Sequence, residues 1–165
     1  MLDIITIYDK YLQEIEEQKR EEYKKSNEDK FFRASMAGSC HKKHLYYLQD
    51  AEAKEIDLRT RRLFRLGTIV HKDFEDALVT HSLNSDVPIM CEFEIEIPDL
   101  RVKGTLDIAY MNQETSTMEV YDLKTMASFK WSKMFGHIKN RDKNPSRNYE
   151  LQLGTYALGL QKEND

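Results

Sequence analysis

The stretch Val102–Thr125, VKGTLDIAYMNQETSTMEVYDLKT, constrains this chain more than any other, because its pattern reads as a β-hairpin. An apolar-alternating run carries Gly104, Thr105, Leu106 and Asp107. A polar turn occupies Asn112 to Thr117, and a second strand delivers Asp122, Leu123 and Lys124. Side chains two apart on a strand share a face, so Asp122 and Lys124 project together. If the strands pair near the turn, Asp107 arrives beside them. Two carboxylates and an ammonium then converge, which suits a hard divalent cation with a phosphate alongside.

The segments before the hairpin read mostly as helix. Ile4 to Lys25 carries the stripe Ile4, Ile7, Tyr8, Tyr11, Leu12 and Ile15. Residues 1–30 are therefore expected to form a helical arm without chemistry, and residues 31–165 one compact domain. Phe31 to Asp50 starts as a loop and becomes a short helix with Ser39 as its N-cap. Arg33, Lys42, Lys43 and His44 bring positive charge to that helix start, where an anion is favoured. The plain alternative is a capped helix with an exposed basic face. Leu58 to Leu83 is a long helix whose buried stripe is expected to be Leu63, Leu66, Ile69, Val70, Phe74, Ala77 and Leu78. Gly67 in that pattern costs about 1 kcal/mol relative to Ala and marks a close approach. His71 and Glu75 lie four apart and share a face. Taken alone, His71 and His81 read as packing or surface residues.

Pro88 to Asp99 alternates strictly, with Phe93, Ile95 and Ile97 inward and Glu92, Glu94 and Glu96 outward. The glutamates form a solvated face, unless this strand adjoins the hairpin and one of them reaches its acids. After Lys124, a short helix over Phe129–Ile138 carries Trp131, Met134 and Phe135. Trp131 is either a core aromatic or a surface on which a base could stack. A basic loop broken by Pro145 follows. The last helix, about Arg147 to Gln161, is expected to bury Leu151, Ala157, Leu158 and Leu160, with Gln152 and Tyr156 sharing a face. This order predicts an α/β or α+β fold with a small mixed central sheet flanked by helices.

Charge matters here by its placement. The chain's formal net charge of −4 argues against binding nucleic acid by bulk electrostatics. Acids dominate before Phe31, whereas Lys130, Lys133, Lys139, Arg141, Lys143 and Arg147 face only Asp142. Two cysteines, Cys40 and Cys91, make no disulfide framework, and a reducing cytoplasm is expected. No apolar run approaches the roughly 20 residues that cross a bilayer, and no membrane association is expected.

The series Gly67-x-x-x-His71-x-x-x-Glu75, Gly104-Thr105-Leu106-Asp107, Asp122-Leu123-Lys124 and Gln152-x-x-x-Tyr156 resembles the RecB-like branch of the PD-(D/E)XK nuclease superfamily. Cys40-x-Lys42 followed by Tyr46-Tyr47 is similar to the segment that precedes the core there. The resemblance implies a restriction-endonuclease-like core and a metal-dependent deoxyribonuclease, an exonuclease preferring single-stranded or end-containing DNA. By the same resemblance Asp107, Asp122, His71 and the Leu123 carbonyl hold Mg²⁺ or Mn²⁺. Lys124 sits by the attacking water and the phosphate, and Glu75 supports His71 or a bound water. Gln152 and Tyr156 line the site and touch the nucleic acid. Arg33, Lys42, Lys43 and the basic residues from Lys130 to Arg147 guide the strand.

Some relatives hold an iron–sulfur cluster on four cysteines. Cys40 fits the first position but no cysteine follows Cys91, so no cluster is expected. No Walker A loop is present, so unwinding would come from a helicase, recombinase or other DNA-processing partner. The rival readings are a non-catalytic nucleic-acid-binding domain on this fold, an endonuclease of it, or a partner-binding protein whose acids only pair at the surface.

Overall fold

The computed structural model describes residues 3–26, 29–136 and 146–164. In chain order the elements are α1 (Ile4–Ser26), β1 (Phe32–Arg33), α2 (His41–Leu48), α3 (Leu58–Leu83), β2 (Ile89–Ile97), β3 (Val102–Asn112), β4 (Thr117–Tyr121), α4 (Ser128–Phe135) and α5 (Arg147–Asn164). Short 3-10 turns lie at Ala34–Met36 and Pro98–Leu100. The protein is mixed α+β, with a four-stranded mixed sheet flanked by helices.

β3 is the central strand. β2 runs antiparallel along one edge, from Ile89 opposite Tyr110 to Ile97 opposite Val102. The other edge is shared. β1 pairs in parallel at Val102 and Lys103, and β4 pairs antiparallel from Ile108 to Asn112. Gly104 to Asp107 therefore has no strand partner on that edge among the described residues. The hairpin turn is built by Asn112, whose Oδ1 accepts the Glu114 and Thr115 amides at 3.0 and 3.3 Å. Glu119 ties the strands by accepting from Tyr110, Asn112 and Tyr121.

The core forms on the sheet face that carries Ile95, Ile97 and Leu106, closed by Ala34, Tyr156 and Leu160. α5 can lie close because glycines stand where side chains would collide. A Cβ on Gly159 would come within 3.0 Å of Ile95. One on Gly104 would lie 2.8 Å from the Ala34 Cβ and 3.1 Å from the Tyr156 ring. α3 packs against β2 and β3 and carries His71 toward Asp107. Its start is fixed by Asp57, which accepts the Thr60 amide at 3.0 Å. At Gly67 the close approach comes from Thr125, whose hydroxyl would meet a Cβ at 3.1 Å.

Several sequence expectations are corrected. α3 buries none of its expected stripe: Leu63, Leu66, Ile69 and Phe74 are about half exposed. α1 likewise leaves Ile4, Ile7, Tyr8 and Tyr11 exposed and buries only Leu12 and Asp9. Asp9 tolerates burial because Arg62 donates to both its oxygens, at 2.9 and 2.7 Å. On α5 the inward face is Gln152, Tyr156 and Leu160, while Leu151, Ala157 and Leu158 are exposed. Ser39 does not cap α2; Cys40 holds that position without a side-chain bond. Trp131 is half exposed and so is not a core residue. Among the described residues no helix is long and apolar enough to cross a membrane.

Candidate functional site

The site grows from the edge of β3 that lacks a strand. β4 ends at Tyr121 opposite Ile108, and the next residues leave the ladder. There the Asp107 side chain replaces a backbone acceptor: its Oδ2 accepts the Leu123 amide at 2.6 Å. The other oxygen, Oδ1, stands 3.6 Å from His71 Nδ1 on α3. Asp107 thus joins the hairpin to the helix.

Glu92, directly across from Asp107 on β2, completes a group. Ligand-capable atoms of His71, Glu92 and Asp107 all lie within 4.8 Å of one another, close enough to share one metal ion. Glu92 has φ 49, in the left-handed region that non-glycine residues avoid, in the middle of a strand whose register is otherwise regular. Its carboxyl is pushed above the usual range, first by burial and then by the Asp107 and Glu75 charges, although part of the side chain reaches solvent.

Asp122 and Lys124 lie beyond the end of β4 and not on it as expected, yet their side chains meet. Lys124 Nζ donates to Oδ1 at 2.7 Å and lies 2.6 Å from Oδ2. The Asp122 side chain is only 3% exposed, and burial raises its pKa against the lowering effect of Lys124. From beneath, Gln152 Nε2 donates to Asp122 Oδ1 at 3.0 Å and to the Tyr156 hydroxyl at 2.9 Å. Gln152 and Tyr156 are 5% and 3% exposed and form the floor of the cleft beside Asp122, with Gln152 bonded to Asp122 and to Tyr156.

Two clefts meet at Asp107. One, of about 730 Å³, runs past Asp122, Lys124, Thr105, Ser35, Lys103 and Arg33 to Tyr23 at the end of α1. Arg33 lies 3.5 Å over the Tyr23 ring, and Lys103 donates to the Ser26 carbonyl at 2.6 Å. The arm read as inert therefore supplies a wall. The second cleft, about 990 Å³, is lined by Leu63, Phe64, Leu66, Gly67, His71, Glu75, Glu92, Met126 and Lys130.

The expected residues do not all gather. His71, Asp107, Asp122 and Lys124 are neighbours, but the group able to hold a metal takes Glu92 in the place expected for Asp122. Leu123, expected as a carbonyl ligand, reaches the site with its amide, which donates to Asp107. Glu75 lines the second cleft and pairs with Lys72 at 3.2 Å. Arg33 and Lys130 line the clefts. Lys42 and Lys43 lie on α2 and Lys133 on α4, outside both, as does Arg147 at the start of α5. Lys139, Arg141 and Lys143 fall outside the described residues. Cys40 precedes α2 and Cys91 lies on β2, both free thiols.

No protein-family model, no curated protein and no solved structure matches this chain.

Proposed function

We propose that the protein hydrolyses DNA phosphodiester bonds with the help of Mg²⁺ or Mn²⁺, on a core of the PD-(D/E)XK type. The observation that carries this reading is the convergence on Asp107. His71 and Glu92 stand on one side of it, and Lys124 gripped by Asp122 stands on the other. The chemistry of the donors fits the cation. Two carboxylates supply hard oxygens, and one imidazole tilts the set toward Mn²⁺ without excluding Mg²⁺. His71, Glu92 and Asp107 would hold the ion. Bound there, it supplies activation of a water and charge to offset the phosphoryl oxygens.

The chain's own residues do the rest. Lys124 offers ammonium protons to the non-bridging oxygens of a phosphate in the first cleft, where negative charge grows in the transition state. Asp122, fixed by Gln152, keeps that ammonium in one place, so little reorganisation is needed when the phosphate arrives. Arg33 and Lys103 line the same cleft and present positive charge to the backbone of the strand.

End-labelled linear DNA and closed circular DNA, incubated with Mn²⁺ or Mg²⁺, test the reading. Cutting by the wild type that disappears with EDTA and in Lys124→Ala supports it. Equal cutting by wild type and Lys124→Ala overturns it, and cutting of closed circles makes the enzyme an endonuclease.

A further inference from the structure

A third cleft, of about 730 Å³, opens where α2 meets β1 and α5, and the proposed chemistry leaves it unused. α2 buries none of its residues. Its Leu45 and Leu48, 51% and 40% exposed, line the cleft together with Phe32 of β1. Around these apolar groups stand Arg33, His41, Lys42 and His44, and no acid is among the lining residues. Thr155 of α5 supplies the lining's single hydroxyl, which already donates to the Leu151 carbonyl at 2.8 Å. The His44 ring meets Phe32 edge-on, 5.4 Å between centroids. The surface is therefore apolar and cationic, with no hydroxyl proton to offer.

We infer that this cleft docks an acidic peptide segment of a partner protein, with apolar side chains against Leu45 and Leu48 and carboxylates facing Arg33 and Lys42. Charge complementarity selects the sign of the occupant: two permanent cations and two imidazoles, unopposed by any lining acid, favour an anion. The apolar lining selects its other half. A nucleic-acid strand would lose water over Leu45 and Leu48 without gaining hydrogen bonds in return. A fatty-acid tail needs enclosure, and leucines that stay half open to water cover one side of it only. Peptide side chains need cover at their tips alone, because the backbone that carries them stays in solvent. Apolar anchors then supply most of the affinity, and the cations fix orientation and speed encounter. The cleft shares only Arg33 and Ala34 with the one that holds Asp122 and Lys124, so docking here is independent of the hydrolysis reading.

The full-length protein is titrated into a fluorescein-labelled peptide of glutamates interrupted by leucines and a phenylalanine, and binding is read by anisotropy. One control peptide carries alanine at the apolar positions, and another carries lysine in place of glutamate. The expected result is saturable binding of the first peptide only, weakened by salt. Leu45→Ser and Lys42→Glu should each weaken it at least about five-fold. Both side chains are exposed, so the melting temperature should hold; if Leu45→Ser lowers it, Lys42→Glu decides. No binding of the first peptide, equal binding of either control, or full affinity in both variants would overturn the inference. So would displacement of the peptide by oligodeoxythymidine or by laurate, which would make the ligand a nucleic acid or a lipid. Self-association in sedimentation that Leu45→Ser abolishes would also overturn it, since a second copy of the chain then fills the cleft.

Discussion

Asp107 accepts the Leu123 amide at 2.6 Å through one carboxylate oxygen while the other stands 3.6 Å from His71. One side chain thus fastens the segment that leaves β4 and belongs to the group that could hold a metal ion. The two roles separate by substitution. Asp107→Ala strands a partly buried amide and should cost about 1–3 kcal/mol, whereas Asp107→Asn keeps an acceptor and should cost less. Both should lose the rise in melting temperature that Mn²⁺ gives the wild type by mass action. Calorimetry with and without Mn²⁺ reads both effects.

Gln152 acts through Asp122. Gln152→Met keeps the volume and removes the bonds to Asp122 and Tyr156. Residues that orient a catalytic group typically contribute about 10- to 100-fold to activity, and kcat should fall by that order. Affinity for DNA should stay within about two-fold, because the side-chain amide is already engaged by Asp122 and Tyr156. A loss confined to DNA affinity would return Gln152 to a direct contact.

Glu92 should leave a mark on the pH dependence of stability. Its carboxyl is held above the ordinary value of 4.5, so the folded protein keeps this proton to higher pH than the unfolded chain does. The resulting stability is complete below that value and is lost as pH rises through the raised one. Glu92→Gln lacks this loss. In the absence of metal it should gain on the wild type as pH rises from 4 toward neutrality, and Mn²⁺ should reverse the order. Urea melts at several pH values measure the difference.

Much of this was legible in the sequence, for reasons that differ by element. The hairpin and the bounds of α3 followed from alternation, turn chemistry and a helical period, all local signals. The stripe on α3 failed because periodicity marks which residues are apolar, not whether another element covers them. Glu92 was hidden among Glu94 and Glu96; alternation places all three on one face, and only the position of His71 selects one. On α5 the apolar Leu151 and Leu158 face outward, while Gln152 and Tyr156 turn in, and Gln152 bonds both Tyr156 and Asp122. The two residues of β1 are too short to carry any pattern.

Gly104 tests the packing beneath the site. Gly104→Ala places a methyl 2.8 Å from Ala34 and 3.1 Å from Tyr156, both buried. It should destabilise the fold by about 1–3 kcal/mol, as overpacked cores do. Denaturant unfolding gives the value, and a neutral result would mean that α5 sits further from β3.

In the proposed site one ion is held by His71, Glu92 and Asp107, with Asp122 reserved for Lys124. Titration of Mn²⁺ into the wild type and four variants, followed by calorimetry, tests this most directly. One site should bind in the wild type and in Asp122→Asn, and affinity should drop at least about ten-fold in His71→Ala, Glu92→Gln and Asp107→Asn. Full binding by Glu92→Gln with loss in Asp122→Asn, or no binding by the wild type, would contradict it.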